Sequence, residues 1–241
     1  MKRPKFALCF LVLFWKKPTI IEVHSQLLMK DSFIHKGKRK QLLDQLRRKG
    51  ISDERVLEAM NQVPRHFFMD SGFLDHAYSD KAFPIGADQT ISQPYTVAKQ
   101  TELLQCTSGQ KILEIGTGSG YQSAVLVALG VQLYTVERQN ELFKKSSFLL
   151  KKMGFIPKKI IFGDGYKGFP QQAPYDGIIV TAGAPFVPMP LLAQLKVGGR
   201  LVIPLGEKEQ VMTVFHRVTE KKFDKSTHGP CKFVPLLAHK N

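Results

Sequence analysis

The stretch Leu-Glu-Ile-Gly-Thr-Gly-Ser-Gly-Tyr, residues 113–121, decides the fold class of this chain. An apolar run leads into three alternate glycines, and a helical pattern follows them. Glycine tolerates positive φ angles and lets the backbone approach a ligand closely. The stretch therefore predicts a strand, a tight turn and a helix, with the turn in contact with a cofactor that contains a nucleoside. The residues expected at this contact are Gly116, Thr117, Gly118 and Gly120.

The spacing of these glycines distinguishes between cofactors. A dinucleotide fingerprint requires G-x-G-x-x-G, whereas this turn reads G-x-G-x-G and places Tyr121 where the last glycine should fall. Glu114, one position before the end of the strand, favours S-adenosyl-L-methionine, because its carboxylate can lie near the cationic amino-acid end of that cofactor and would repel a pyrophosphate. An NAD-dependent oxidoreductase is therefore disfavoured. A tight turn that binds no ligand is the alternative for the glycines taken alone.

Acidic residues follow the next two predicted strands. Glu137 comes about 20 residues after the glycine turn, where a carboxylate can accept hydrogen bonds from ribose hydroxyls. Asp164 and Gly165 end the third strand, where they can meet an adenine edge. Each acidic residue has an alternative role as a cap of the following helix. Because open α/β sheets bind ligands at the carboxyl ends of their strands, the three positions together predict a nucleoside site.

The rest of the chain alternates short apolar runs with helical segments. Strands are predicted at 111–115, 132–137, 159–162, 176–180 and 200–204, and helices near 95–106, 119–129, 139–153 and 188–195. This alternation is typical of βαβ units and predicts a mainly parallel sheet that is covered on both faces. The fold class is therefore α/β.

The flanking regions follow other patterns. A helix is predicted from Lys36, and a second helix after Ser52, which we expect to be its N-cap. Residues 64–95 contain several prolines and predict an irregular loop, which in a compact domain is more often functional than idle. At the other end, residues 211–217 and 232–237 predict two strands that pair antiparallel at one end of the sheet.

Composition excludes several protein classes. The chain has 241 residues, of which 43% are hydrophobic, and a formal net charge of +15. These values exclude fibrous and disordered proteins and leave room for a substantial core. The three cysteines, Cys9, Cys106 and Cys231, are odd in number and widely spaced, so we predict neither a disulfide framework nor a metal site.

The role of the first 28 residues needs a separate interpretation. Residues 6–15 are apolar and are flanked by lysines, but ten residues are too few to cross a hydrocarbon core about 30 Å thick. The segment has three interpretations: an export signal, a weak membrane anchor, or upstream translation that is not part of the functional protein. We favour the third, because Met29 immediately precedes a well-formed domain start. The prediction is one domain over residues 29–241.

Motifs outside the glycine turn resemble the protein-L-isoaspartate O-methyltransferase family. They comprise Val-Pro-Arg-His-Phe-Phe at 63–68, Ala-Tyr-Ser-Asp at 77–80, Ile-Gly-Ala-Asp-Gln-Thr-Ile-Ser-Gln-Pro at 85–94, the glycine turn, Gly-Asp-Gly at 163–165, residues 176–182 and Phe-Val-Pro-Leu at 233–236. The resemblance is collinear from about Lys36 to Leu237. Thr-Ile-Ser-Gln-Pro is its most diagnostic element, because generic methyltransferases share the glycine turn and lack this one.

The resemblance implies a fold and a reaction. The implied fold is a Rossmann-like class I S-adenosylmethionine-dependent methyltransferase sheet flanked by helices, with an N-terminal helical extension and C-terminal antiparallel strands. The implied reaction transfers a methyl group from S-adenosyl-L-methionine to the free carboxylate of L-isoaspartyl residues in damaged proteins. The ester then collapses to a succinimide, and hydrolysis restores some normal aspartate.

The resemblance also assigns roles to residues. It makes Ser92 the active-site serine, places Thr90 and Ile91 beside the cofactor, and brings Asp164 and Gly165 to the adenine. Val234 and Pro235 match the strand that is implicated in peptide binding. The chain departs from some relatives at Val97, where they have histidine, and at Leu237, where they have threonine.

The chemistry of the implied reaction requires little from the protein's own acids and bases. A carboxylate with a pKa near 4 is ionised at neutral pH and needs no general base before it attacks a sulfonium methyl group. The protein must hold the carboxylate in line and remove water from it. Ser92 can donate a hydrogen bond without neutralising the nucleophile, although from the local sequence alone an N-cap role before Pro94 is the stronger interpretation.

The basic charge raises a competing hypothesis, methylation of RNA or of another carboxylate substrate. Basic clusters at 36–49, 144–159 and 217–225 can attract phosphate. However, the Asn/Asp-Pro-Pro-aromatic motif common in enzymes that methylate base amino groups is absent after the fourth strand, where residues 181–185 read Thr-Ala-Gly-Ala-Pro. We therefore expect damaged proteins and peptides as partners, no nucleic acid, no stable membrane association and a monomer. The expected location is the cytoplasm, or outside the cell if residues 1–28 act as a signal.

Overall fold

The computed structural model describes residues 30–239 of the chain. The chain divides into two units, Met1–Ser32 and Phe33–Asn241. Every helix and strand of the described residues lies in the second unit. The apolar run at 6–15 and the predicted boundary before residue 29 lie outside the described residues. Among residues 30–239, no helix combines the length and the apolar character needed to cross a bilayer.

A seven-stranded sheet forms the centre of the second unit, and a separate two-stranded hairpin lies outside it. In chain order the strands are β1 (Phe83–Gly86), β2 (Gln89–Ile91), β3 (Lys111–Ile115), β4 (Gln132–Glu137), β5 (Lys159–Phe162), β6 (Tyr175–Val180), β7 (Leu195–Leu205), β8 (Gln210–Arg217) and β9 (Phe223–Cys231). The order across the large sheet is β5-β4-β3-β6-β7-β8-β9. The α/β class is therefore confirmed.

The strands from β3 to β7 are parallel to one another, as the sequence predicts. Their residues are apolar because both faces of the sheet are covered; Leu113, Ile178 and Leu201, for example, are fully buried. Because these strands are parallel, the carboxyl ends of β3, β4 and β6 lie at one edge of the sheet, and the strand order changes direction between β3 and β6. Such a switch point is where open α/β sheets bind ligands.

Helices cover the sheet. They are α1 (Phe33–Arg48), α2 (Glu54–Gln62), α3 (Pro94–Leu104), α4 (Tyr121–Ala128), α5 (Asn140–Lys152) and α6 (Met189–Ala193). The predicted cap of α2 is wrong by one residue: Asp53, not Ser52, is the N-cap, and its carboxylate accepts a hydrogen bond from the Arg55 amide at 3.0 Å. The amide and hydroxyl of Ser52 instead donate to the carboxylate of Glu102.

The segment predicted as an irregular loop contains regular structure. Two 3₁₀ turns, Arg65–Phe68 and Ser71–His76, precede the hairpin of β1 and β2. The hairpin turn has positive φ angles at Gly86, Ala87 and Asp88. Hairpin turns of this kind usually carry asparagine or glycine at the centre, so Ala87 and Asp88 give a weak signal in the sequence.

The C-terminal strand prediction is wrong in its position. The partner of β8 is β9 at Phe223–Cys231, and not residues 232–237. The antiparallel pairing itself is as predicted. Most of β9 is exposed, because it is the edge strand, and it therefore lacks an apolar pattern. Residues 234–236 are instead held against Gly183, whose amide donates to the Val234 carbonyl at 2.8 Å.

Candidate functional site

A cavity lies at the carboxyl edge of β3, β4 and β6, and we call it the sheet-edge cavity. Its walls come from four regions: the β2 end, the glycine turn, the turns after β4 to β6, and the C-terminal segment. Its lining residues are Gln89, Thr90, Ile91, Ser92, Val97, Ile115, Gly116, Thr117, Gly118, Ser119, Tyr121, Gln122, Val136, Glu137, Arg138, Gln139, Gly165, Thr181, Ala182, Val234, Pro235, Leu236 and Leu237. Both departures from the family pattern, Val97 and Leu237, are among them.

The glycine turn approaches β6 so closely that Gly116 has no room for a side chain. Gly116 has a φ angle of +94°, and an added Cβ would collide with the Thr181 hydroxyl. That hydroxyl donates to the Gly116 carbonyl at 2.7 Å and fixes the turn against the end of β6. At Gly116 the turn therefore presents backbone, rather than a side chain, to the cavity.

Glu137 is the one carboxylate among the lining residues of the cavity. Its Oε2 accepts a hydrogen bond from the Gly118 amide at 2.8 Å, and its Oε1 accepts one from the Gln139 amide at 2.9 Å. The side chain is thus oriented by the glycine turn and by its own strand end. An ionised carboxylate has about four acceptor sites, so two backbone donors leave it able to accept from two ribose hydroxyls.

Glu114 lies outside the cavity lining. Side chains alternate along β3, and Ile115 faces Gly165 while Glu114 faces α4, where the Ser123 hydroxyl donates to its Oε2. Its Oε1 has no hydrogen-bond partner among the described residues. Complete burial raises the pKa of Glu114 to about 8, so the carboxyl is mostly protonated at neutral pH. The structure therefore does not bring the Glu114 carboxyl to the cavity surface as a charge.

Two more predicted cofactor residues lie outside the lining. The Asp164 carboxylate accepts from the Tyr166 amide at 2.9 Å and from the His239 amide at 3.1 Å. Asp164 is thus a cap of the 3₁₀ turn Gly165–Lys167, which is the alternative role considered from the sequence. Gly120 packs against Leu150 of α5, and an added Cβ would lie 3.1 Å from that side chain. Gly165 does line the cavity.

Ser92 lies at the junction of the cavity and a second depression, which we call the side groove. The side groove is lined by Ala82, Thr90, Ser92, Gln93, Tyr95, Thr96, Lys99, Thr181, Met212, His228, Gly229, Pro230, Cys231, Lys232, Phe233 and Val234. The N-cap of α3 is Gln93, not Ser92. The capping role therefore does not occupy Ser92, which lines both depressions.

The structure brings together most of the predicted site residues. Ile91, Gly116, Thr117, Gly118, Glu137, Gly165 and Pro235 line the cavity, while Thr90, Ser92 and Val234 line both the cavity and the side groove. The side groove has no carboxylate among its lining residues and contains Lys99 and Lys232. Burial lowers the pKa of His228 at its rim, and the charges of Lys99 and Arg200 lower it further.

Gln122 is a candidate that was not among the site residues predicted from the sequence. Its Nε2 donates to the Thr101 hydroxyl at 2.9 Å, and that hydroxyl donates in turn to the Val97 carbonyl at 2.7 Å. These two bonds fix the orientation of the amide. The buried Oε1 has no hydrogen-bond partner among the described residues and remains an acceptor in the cavity wall. Its only sequence signal is its place two residues after the last glycine of the turn.

Comparisons with known proteins agree with this geometry. Residues 37–241 match the family described as Protein-L-isoaspartate(D-aspartate) O-methyltransferase (PCMT). The protein-L-isoaspartate O-methyltransferase of Christiangramia forsetii is 62% identical over 213 residues, which cover 88% of this chain and 100% of that protein. A solved protein-L-isoaspartate O-methyltransferase has a TM-score of 0.74 and 29% identity, over 82% of this chain and 65% of that one. A Plasmodium falciparum beta-aspartate methyltransferase (PCMT), solved with S-adenosyl-L-homocysteine, has a TM-score of 0.73 and 26% identity, over 83% of this chain and 98% of that one.

Proposed function

The chain belongs to the protein-L-isoaspartate(D-aspartate) O-methyltransferase family, and on this premise we propose that it methylates the free carboxylate of L-isoaspartyl residues in damaged proteins. S-adenosyl-L-methionine is the methyl donor of this reaction. The observation that carries the proposal is the place of Ser92, which lines both the sheet-edge cavity and the side groove. A donor in the cavity and an acceptor peptide in the groove would meet at this residue.

The cavity residues fit the methyl donor. Glu137 offers acceptor sites for ribose hydroxyls, and the glycine turn offers backbone close to the ligand. Gln122 lies on the side of the cavity that faces α3, where its Oε1 can accept from a donor such as an ammonium group. When bound, S-adenosyl-L-methionine supplies a methyl group on a positively charged sulfur. We assign Thr90 and Ile91 to the wall beside it and Gly165 to the adenine end.

The chain's own residues would act on the acceptor by orientation and by exclusion of water. The acceptor carboxylate is ionised at neutral pH and does not need deprotonation. The Ser92 hydroxyl would donate a hydrogen bond to one carboxylate oxygen and leave the other aimed at the methyl group. The buried side chains of Ile91 and Val97 keep water from this junction. Val234 and Pro235 would hold the peptide from the opposite side.

A pair of peptides tests the reaction. The purified full chain is given S-adenosyl-L-methionine labelled in its methyl group, together with two peptides of identical sequence that carry isoaspartate or aspartate at one position. We expect base-labile label on the isoaspartyl peptide only. Equal labelling of both peptides, or preferential labelling of transfer RNA, would overturn the proposal in favour of another carboxylate or RNA substrate.

We further propose that residues 29–241 form a single methyltransferase domain, that the enzyme is a cytoplasmic monomer, and that it binds neither nucleic acid nor membranes stably. The family match from residue 37 supports the start of this domain. A variant that begins at Met29 should keep kcat/KM within about twofold of the full chain. Loss of folding on truncation would contradict this domain assignment. The N-terminus of the native protein tests the proposed location, and the mass of the protein in solution tests the monomeric state.

A further inference from the structure

Helix α3, which follows Ser92, begins without a cap from its own sequence. Its N-cap residue, Gln93, makes no side-chain hydrogen bond to the helix, and its first residue, Pro94, has no amide hydrogen. The first amide that needs an acceptor is therefore that of Tyr95. The first four amides of a helix have no partner within the helix, so an external acceptor stabilises this end.

Asp80 supplies that acceptor from fifteen residues upstream. Its Oδ1 accepts a hydrogen bond from the Tyr95 amide at 2.8 Å. Its Oδ2 accepts one from Lys49 Nζ at 2.6 Å, and its side chain is only 3% exposed. The charge of Asp80 also acts on the buried guanidinium of Arg65. A carboxylate at a helix N-terminus is favourable both as a hydrogen-bond acceptor and as a negative charge.

The same short segment holds the other end of the link that carries Ser92. Phe83, three residues after Asp80, pairs with Ile91 in the β1–β2 hairpin. Ser92 and Gln93 are the only residues between Ile91, where β2 ends, and Pro94, where α3 begins. The link is thus fixed by Phe83 on one side of Ser92 and by Asp80 on the other.

We infer that Asp80 is a positioning residue for Ser92. It takes the capping role that the sequence assigns to Ser92, and this leaves the serine at the junction of the cavity and the side groove. Without Asp80 the first turn of α3 loses the acceptor of its Tyr95 amide, and the Ser92 hydroxyl shifts relative to the acceptor carboxylate. The sheet-edge cavity keeps its glycine turn and Glu137, so binding of the methyl donor is retained. This inference rests on the proposed function.

Two substitutions at Asp80 test the inference. Asp80→Ala should lower kcat/KM for the isoaspartyl peptide by about tenfold, as much as removal of the Ser92 hydroxyl itself, because a small displacement of a reacting group can cancel its contribution. The Kd for S-adenosyl-L-homocysteine should stay within about twofold. Asp80→Asn keeps an oxygen for the Tyr95 amide and should stay within about threefold of the wild type in kcat/KM. Unchanged kcat/KM in Asp80→Ala would overturn the inference.

A second pair of variants separates positioning from helix stability. Gln93→Asp, added to Asp80→Ala, gives α3 a local cap without a tie to residue 80. We expect this double variant to recover Tm but not kcat/KM; recovery of both would mean that Asp80 only stabilises the helix. Asp80→Ala should also have little further effect on kcat/KM when Ser92 is already alanine, and additive effects would contradict action through Ser92.

The wild-type enzyme separates this inference from the proposed function. Isoaspartate-specific labelling by the wild type, together with full kcat/KM in Asp80→Ala, overturns the role of Asp80 and leaves the proposed function intact. Absence of isoaspartate-specific labelling by the wild type overturns the proposed function, and the inference falls with it.

Discussion

The sheet-edge cavity and the side groove meet at Ser92 but are built in different ways. The cavity is formed largely by turns that directly follow β3, β4, β5 and β6, and its polar groups are held by backbone amides. The groove is formed by segments that are distant in sequence, residues 82–99 and 228–234, and its rim is exposed. The parallel sheet thus places most of the cofactor side by its topology, whereas the acceptor side depends on long-range contacts.

The largest expected effect is on the pH dependence of stability, and it comes from Glu114, which is buried behind the cavity. The pKa of Glu114 is about 8 in the folded protein, against an ordinary value of 4.5, because burial disfavours its charged form. The folded state therefore binds the proton more tightly, and Glu114 contributes stability that is fully present below pH 4.5 and is lost as the pH rises through 8. The loss is on the order of 1 kcal/mol per pH unit in this window.

Glu114→Gln, which keeps the shape and removes the titration, should abolish this part of the pH dependence. Urea unfolding at several pH values between 5 and 8 measures it, with the exposed Glu141→Gln as the control. The free-energy difference between Glu114→Gln and the wild type should grow in favour of the variant as the pH rises. A difference that is constant with pH would contradict the buried, protonated state.

The next largest effect concerns the polar wall of the cavity. Glu137→Ala should raise the Kd for S-adenosyl-L-homocysteine by about a hundredfold, because two hydrogen bonds to a charged acceptor are lost. Isothermal titration calorimetry measures this change, and thermal unfolding without ligand reports whether the Gly118 turn is retained. Glu141→Ala, which removes an exposed carboxylate four residues later, should leave the Kd within twofold. A Kd for Glu137→Ala within threefold of the wild type would place the ribose elsewhere.

The contrast between the two regions also explains which features the sequence could predict. The strands from β3 to β7 are apolar because they are buried on both faces. The glycine turn has a recognisable spacing because its backbone lies too close to β6 for a side chain at Gly116. By contrast, β9 is polar because it is an exposed edge strand, and Asp80 caps α3 across fifteen residues. Local patterns do not encode either fact. The direction of the Glu114 side chain was likewise set by strand alternation and not by its charge.

The smallest expected effect lies at Ser92, where the two regions meet. Ser92→Ala should lower kcat/KM for the isoaspartyl peptide by about tenfold, since one hydrogen bond to a charged group is lost, while the Kd for S-adenosyl-L-homocysteine stays within twofold. Steady-state kinetics and calorimetry on the same preparations measure both, with the exposed Ser108→Ala as the control. Equal losses in both quantities would make Ser92 part of the cavity alone. A loss in kcat/KM only would assign its hydroxyl to the acceptor and make the side groove the region that recognises the damaged peptide.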